Sequence, residues 1–176
     1  MKVIFQKSGK MKFFLISALT FLTFLSSCLK GDTSYMCTYI PCNLVAPTSE
    51  IQAVQNFLTS NNITATQHCS GMFYIIDADG SGKTADVCSG ISVKYKGLLT
   101  NGTVFDEHSS PVSFNLSELI LGWKNGIPLI KPGGRIKLYI PPSLGYGSQV
   151  VYDGNGNPSV PANSILIFEI DLVSVQ

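Results

Sequence analysis

The residues in this chain that could do chemistry are few, and most of them are aromatic. Phe105 and Asp106 stand side by side shortly after an Asn101-Gly102 pair, and Tyr95 precedes that pair. An apolar ring beside a carboxylate is typical of a pocket that holds an apolar group next to one polar contact. The pattern predicts an aromatic-lined cleft that contains a single acid.

A hairpin over residues 91–106 must position these side chains. Apolar and polar residues alternate before the turn, which is the period-two pattern of a half-buried strand. Asn-Gly favours the positive φ angles of a tight turn. We therefore expect two strands with the apolar set on one face, namely Ile91, Val93 and Tyr95.

Composition limits the remaining possibilities. The 176 residues are 45% apolar and 13% charged, with a net charge of +1. That is enough apolar content for one core, so one domain is expected after any leader. The sequence contains no cluster of Lys and Arg, and a phosphate backbone requires one, so nucleic acid is not an expected partner.

The first residues predict an exported lipoprotein. An uncharged apolar run, Phe13–Leu25, follows Lys10 and Lys12 and is too short to span a bilayer, which takes about 20 residues. A basic start, a short apolar run and small residues describe a signal peptide over residues 1–27. Leu-Ser-Ser-Cys resembles the bacterial lipobox, with Cys28 as the lipidated residue. An ordinary signal with a fortuitous cysteine is the alternative, and Met11 is an alternative start.

Four further cysteines follow Cys28, and they favour two disulfides in an exported chain. Three connectivities are open; we favour Cys37 with Cys42 and Cys69 with Cys88. A zinc site that includes His68 is a competing interpretation, but CxxC spacing is missing. Both histidines, His68 and His108, are expected at the surface.

The segments before the main domain are a tether and one helix. Residues 28–47 are rich in Gly, Thr, Ser and Pro and predict a tether. Residues 48–66 carry a short helix, Ser49–Ser60, opened by a capping box of Ser49 and Gln52. The main domain is expected over residues 67–176.

Within the main domain, apolar alternation predicts three further strands, over residues 71–76, 135–140 and 165–173, and a short one over 112–116. The segment 77–84 contains fragments of a nucleotide-binding loop and of a calcium loop, but it lacks the first Gly of one and the final Glu of the other, so a turn is favoured. Loops are expected over 108–111 and 143–161, with a brief helix over 117–126.

Five segments in order, VKYKG, LLTNGTVFD, ELILGW, IKLYIPPSLGYG and VPANSILIFEIDLV, resemble the FKBP-type peptidyl-prolyl cis-trans isomerases. The resemblance covers about residues 71–175. It implies an α+β fold in which a twisted antiparallel sheet of five or six strands wraps around one short helix. It also implies rotation of X-Pro bonds in exported or envelope proteins, with no cofactor and no metal.

The resemblance assigns roles to eight residues of a proline-binding hollow. Trp123 is its expected floor, and Asp106 is its polar group near the isomerising carbonyl. Ile120 is expected to offer a wall and a backbone N–H, and Tyr146 a hydroxyl donor. The remaining walls and contacts are Tyr95, Phe105, Phe168 and Val160. From periodicity alone, the aromatic residues among them would be core residues.

Three departures from the family pattern leave an alternative open. Val112 stands where the family has Phe, the segment between Phe105 and Trp123 is short, and the loop after Tyr146 is long. The alternative function is a proline-binding chaperone or interaction module with little catalysis. The expected partners are proline-containing polypeptides, macrolide inhibitors, and a membrane reached through the lipid anchor. Leu29 after Cys28 favours the outer over the inner membrane on the periplasmic side.

Overall fold

The computed structural model describes residues 39–176, and its main feature is a six-stranded antiparallel sheet around a short helix. The strand order is β1-β2-β5-β8-β3-β4, and β6 and β7 form a separate hairpin. The helices are α1 (Thr48–Ser60) and α2 (Leu121–Gly126). The strands are β1 (Thr66–Gln67), β2 (Phe73–Ala78), β3 (Gly90–Leu99), β4 (Val104–Asn115), β5 (Arg135–Ile140), β6 (Val151–Tyr152), β7 (Pro158–Val160) and β8 (Leu166–Val175). This architecture confirms the expected fold class.

Strand β8 lies in the middle of the sheet, between β5 and β3. Its alternating pattern places Leu166, Phe168, Ile170 and Leu172 in the core, as predicted, while Glu169 stays exposed. Phe168 stands opposite Leu138 of β5, and Ile170 stands opposite Tyr95 of β3. The strand therefore brings two aromatic residues of the predicted cleft onto one face of the sheet.

The β3–β4 hairpin forms where it was predicted, but the expected loop over residues 108–111 is wrong. Strand β4 continues through it as a bulge, since Tyr95 pairs with His108 and Val93 pairs with Val112. Residues 109–111 of β4 thus stand opposite a single residue of β3, Lys94. A bulge leaves its extra residues without ladder partners, so Pro111 is accommodated without a backbone donor.

Helix α1 begins one residue earlier than predicted, and the expected capping box does not form. Pro47 occupies the N-cap and no side chain caps the helix. Gln52 donates to Asn56 instead, and the Glu50 carboxylate accepts from the Ser143 backbone N–H at 2.8 Å. The Pro47 carbonyl accepts from the backbone N–H groups of Glu50 and Ile51, which places Ser49 within the first turn.

Helix α1 covers one part of the sheet's outer face. Val54 and Leu58 form a buried cluster with Phe73 of β2 and Tyr139 of β5. These contacts join α1 to the sheet. No helix within residues 39–176 is long and apolar enough to cross a membrane.

The predicted disulfide pairing is wrong, because Cys42 is bonded to Cys69, with their Cα atoms 5.5 Å apart. Cys88 is also disulfide-bonded. Cys28 and Cys37 lie outside the described residues. The Ala46 N–H donates to the Ser70 carbonyl at 2.9 Å, so the end of the predicted tether runs beside Cys69. This approach in space, which the sequence spacing does not reveal, selects the partner of Cys42.

The same disulfide argues against the zinc interpretation. Ligand atoms of Cys42, His68 and Cys69 lie within 4.8 Å of one another. Zinc binds thiolates, and both sulfur atoms are held in the disulfide. His68 is half-buried, not a surface residue, and burial lowers its pKa.

Candidate active site: an aromatic hollow

A hollow of about 180 Å³ lies between α2 and the inner face of the sheet. It is lined by Tyr95, Asp106, Phe114, Leu119, Ile120, Trp123, Tyr146 and Phe168. Pockets for drug-sized ligands have volumes of roughly 300 Å³ or more, so this one is matched to a single small apolar group. Six of the eight residues assigned to the hollow from the sequence line it.

Trp123 is the buried centre of the aromatic packing. Its ring stands edge-on to Phe168, with centroids 5.2 Å apart, and edge-on to Tyr95 at 5.3 Å. Phe114 packs against it in the same manner at 6.2 Å. Edge-to-face contacts of this kind hold aromatic rings in fixed orientations. The floor of the hollow is consequently a rigid surface.

Two glycines allow α2 to lie close to the sheet. A Cβ atom at Gly122 would stand 2.7 Å from both γ carbons of Ile140 and closer still to its Cδ1, and one at Gly126 would stand 2.6 Å from Leu138 Cδ1. Both partners belong to β5 and are fully buried. This contact places Trp123 against the inner face. Ile120, at the N-cap of α2, has a backbone N–H without an acceptor among residues 39–176.

Asp106 is fixed by a hydrogen bond from a neighbouring strand. The Tyr95 hydroxyl donates to Asp106 Oδ2 at 2.5 Å. Burial raises the pKa of Tyr95 well above its usual value, and the hydrogen bond and the charge of Asp106 raise it further. The phenol therefore stays protonated at neutral pH and holds the carboxylate at the edge of the hollow.

Tyr146 also lines the hollow and brings a hydroxyl to it. It follows a 3-10 turn, Pro142–Leu144, and lies between Gly145 and Gly147, the latter with φ of 61°. Burial raises the pKa of Tyr146, and the charge of Asp106 adds to that increase. Its hydroxyl has no acceptor among the described residues, so it is available to donate to a ligand.

Two residues assigned to the hollow lie outside its lining. Phe105 packs edge-on against Phe168 at 5.5 Å, behind the wall, because Gly97 leaves space for both rings. Val160 is buried in the main core. Phe114 and Leu119 take their places in the lining and were not predicted from the sequence. Alternation with Val112 along β4 is the signal that could have identified Phe114.

A second depression, about 470 Å³, lies on the outer face of the sheet. Its walls carry ion pairs between Arg135 and Asp171 and between Lys137 and Glu169, at 2.5 and 2.7 Å. Such exposed pairs are typical of a solvated sheet surface. The aromatic hollow, although smaller, is the better candidate for the functional site.

Comparison with known protein families agrees with this fold. Residues 82–173 match the family described as FKBP-type peptidyl-prolyl cis-trans isomerase, and the chain belongs to that family. It is 46% identical over 111 residues to the FKBP-type peptidyl-prolyl cis-trans isomerase FkpA of Buchnera aphidicola from Schizaphis graminum, covering 61% of this chain and 42% of that protein. FkpA of Escherichia coli K12 is 38% identical over 110 residues, covering 61% and 38%. The chain thus spans less than half the length of these relatives.

Solved structures show the same fold. The crystal structure of FkpA from Escherichia coli matches 73% of this chain and 58% of its own, with a TM-score of 0.60 and 33% identity. The crystal structure of AtFKBP13 matches 64% and 99%, with a TM-score of 0.58 and 31% identity. The match to AtFKBP13 thus covers nearly all of that chain.

Proposed function

We propose that this protein is a peptidyl-prolyl cis-trans isomerase that accelerates rotation of X-Pro bonds in exported or envelope polypeptides. The observation that carries the proposal is the hollow itself. Five aromatic rings and one fixed carboxylate line a space for one small ring, next to free donors from Ile120 and Tyr146. Members of the chain's own family are described by this activity.

The chemistry requires no nucleophile. Rotation about a peptide bond faces a barrier of about 18 to 20 kcal/mol, because the C–N bond is partly double. The twisted state has lost that conjugation and has a less polar carbonyl, so an apolar hollow stabilises it relative to the planar state. A reduction of about 5 to 7 kcal/mol corresponds to roughly four to five powers of ten in rate.

Each lining residue has a role in this scheme. Trp123 and the rings around it bind the proline ring and exclude water. The Ile120 N–H and the Tyr146 hydroxyl are placed to bind substrate carbonyl groups on either side of the rotating bond. Asp106, held by Tyr95, provides a negative charge beside that bond.

A proline-peptide isomerisation assay on the purified protein tests the proposal. We expect activity in the wild type and a loss of about tenfold or more in kcat/KM in Trp123→Leu, since Leu fills part of the volume but offers no ring to stack on. Asp106→Val should lower the rate with a modest loss of stability, because Tyr95 then lacks its acceptor. Unchanged activity in both variants would contradict the assignment of the hollow.

We further propose that the mature chain is lipid-anchored through Cys28 in the cell envelope, with the outer membrane favoured over the inner. Residues 1–27 would be the leader and residues 67–176 the isomerase domain. The short lysine-flanked apolar run before the Leu-Ser-Ser-Cys segment supports this. Cys28→Ala should prevent lipidation and leave the leader uncleaved. A processed variant that still partitions would contradict the anchor.

A second candidate function is binding of unfolded chains with little catalysis, and the β6–β7 hairpin favours it. Val151 packs on the core while Val150 and Tyr152 are exposed, Tyr152 by 60%. Exposed apolar side chains near a binding site are typical of interaction surfaces. Suppression of aggregation by Trp123→Leu at the wild-type level would support this candidate. A change in Trp123 emission on addition of a macrolide would instead indicate that the hollow binds the ligand.

A further inference from the structure

A segment far from the hollow in sequence contacts the helix that carries its floor. The Tyr39 hydroxyl donates a hydrogen bond to Asn125 Oδ1 at 2.8 Å. Asn125 is only 3% exposed and belongs to α2, two residues after Trp123. Buried amide oxygens require a partner, and within residues 39–176 Tyr39 provides the only donor to this one.

The residues that follow Tyr39 are attached to the segment before β2 and not to α2. We call residues 39–46 the strap. The disulfide between Cys42 and Cys69 joins it to the segment before β2, and the Ala46 N–H donates to the Ser70 carbonyl. Ala46 is itself buried in the main core. The position of Tyr39 is therefore set by anchors that do not involve α2.

Helix α2 needs such external support. It has six residues and no side-chain cap, and isolated helices shorter than about 12 residues are marginal in water. Its close contact with the sheet is made by two glycines, Gly122 and Gly126, which contribute no side chains of their own. Asn125 therefore makes the polar contact that joins the helix to the strap.

Two functional groups move with α2. Trp123 forms the floor of the hollow, and the Ile120 N–H lies at the helix N-cap. A small shift of the helix changes the position of both with respect to the walls on β3 and β8. Misplacement of binding groups by a fraction of an ångström is sufficient to weaken binding and slow catalysis.

We propose that Tyr39 is a positioning residue for the hollow, which acts through Asn125 to hold Trp123 and the Ile120 N–H in the substrate-binding position. This inference rests on the proposed function and extends it to a residue that does not touch the substrate. It predicts that the strap is part of the functional unit, although the family match begins only at residue 82.

The test is Tyr39→Phe in the full chain, which removes the hydroxyl and keeps the ring. We expect kcat/KM for a proline peptide to fall about three- to tenfold, the change that corresponds to one lost hydrogen bond, mainly through a higher KM. Trp123 is the only tryptophan of the chain, so its emission reports the environment of α2. The emission of the unliganded variant should differ from that of the wild type.

Tyr139→Phe is the matched control. It removes a phenol that packs with α1 on the outer face and has no hydrogen-bond partner among the described residues. It should leave KM and emission unchanged. In a double-mutant cycle, Tyr39→Phe should add nothing further to Asn125→Ala, because the two residues act through one bond. A Cys42→Ala/Cys69→Ala variant, which removes the covalent anchor of the strap, should change KM in the same direction as Tyr39→Phe.

Wild-type KM and wild-type emission in Tyr39→Phe would overturn the positioning role while the proposed function stands. Equal losses in Tyr39→Phe and Tyr139→Phe would also overturn it, because they would indicate a general loss of stability. If the wild type itself fails to isomerise the peptide, the proposed function fails. Peptide binding and Trp123 emission in the two variants then still decide whether Tyr39 positions α2.

Discussion

The two helices of the domain pack against opposite faces of one sheet, and only one of them leaves a hollow. Helix α1 packs branched side chains, Val54 and Leu58, directly onto Phe73 and Tyr139, and the contact is closed. Helix α2 meets the sheet through Gly122 and Gly126 and directs Trp123 into a ring of aromatic residues. The two helices thus give a closed core on one face and a hollow on the other.

What differs between the faces is how the helix fills the space in front of the sheet. The thirteen residues of α1 pack closely on the part of the outer face that they cover, whereas the six residues of α2, with two glycines, leave a space beside them on the inner face. Rigid edge-to-face rings then keep the uncovered part from collapsing. The comparison implies that substitutions under α1 change the stability of the domain without changing ligand binding in the hollow. Substitutions at the centre of the inner face should change both.

Phe168→Ala should have the largest effect, since Phe168 belongs to both the core and the hollow. Loss of a buried phenylalanine typically costs about 3 to 5 kcal/mol in the free energy of unfolding. We expect that loss in urea unfolding, together with loss of isomerase activity in the folded fraction. A stable variant with full activity would contradict the assignment of Phe168 to both the core and the hollow.

Leu58→Ala should cost about 2 to 5 kcal/mol and leave catalysis intact. Leu58 is 1% exposed in the α1 cluster and does not line the hollow. Denaturant unfolding and the isomerase assay, performed at a temperature at which the variant is folded, measure the two properties separately. A change in KM comparable to that of Trp123→Leu would mean that the two faces are coupled.

Gly122→Ala should cost about 1 to 3 kcal/mol, the usual range for overpacking a core. The new methyl group would meet the side chain of Ile140, which is fully buried and lies on β5. The helix must therefore move away from the sheet, and we expect weaker proline-peptide binding and altered Trp123 emission. As a control, alanine at Gly154, where the added atom meets open space, should change neither.

The smallest expected effect is a difference in alkaline stability. The pKa of Tyr95 is raised in the folded chain, so its contribution is complete below about pH 10 and is lost as the pH rises through the folded value. Stability should thus decline above about pH 10, and less steeply in Tyr95→Phe. Burial raises the pKa of Tyr139 on the outer face, and the positive charge of Lys137 offsets part of that increase. Tyr139→Phe should therefore reduce the alkaline loss of stability less than Tyr95→Phe does. Parallel profiles in all three proteins would contradict this.

Local patterns of the sequence were sufficient for the framework of the site. The alternation around Tyr95 and Phe168 predicts their strands and faces, and the proline at position 128 limits the helix that carries Trp123. Motif order then places Asp106 and Tyr146 beside these rings. The strand and helix predictions depend on residues close to one another in the chain, whereas the roles of Asp106 and Tyr146 come from the family resemblance.

The features that were missed depend on approaches between distant segments. Phe105 and Val160 lie behind the lining because a bulge in β4 and the packing of β7 decide their direction. The partner of Cys42 depends on the path of the strap, and the bond between Tyr39 and Asn125 joins residues 86 positions apart. Periodicity does not report contacts of this kind.

The disulfide between Cys42 and Cys69 has a mechanical consequence. It closes a covalent ring over a sequence separation of 27 residues, and α1 lies wholly inside that ring. A pulling force that acts on the chain at residue 42 passes from Cys42 directly to Cys69 and bypasses α1. The packing of α1 on the outer face is therefore shielded from tension that enters at that residue.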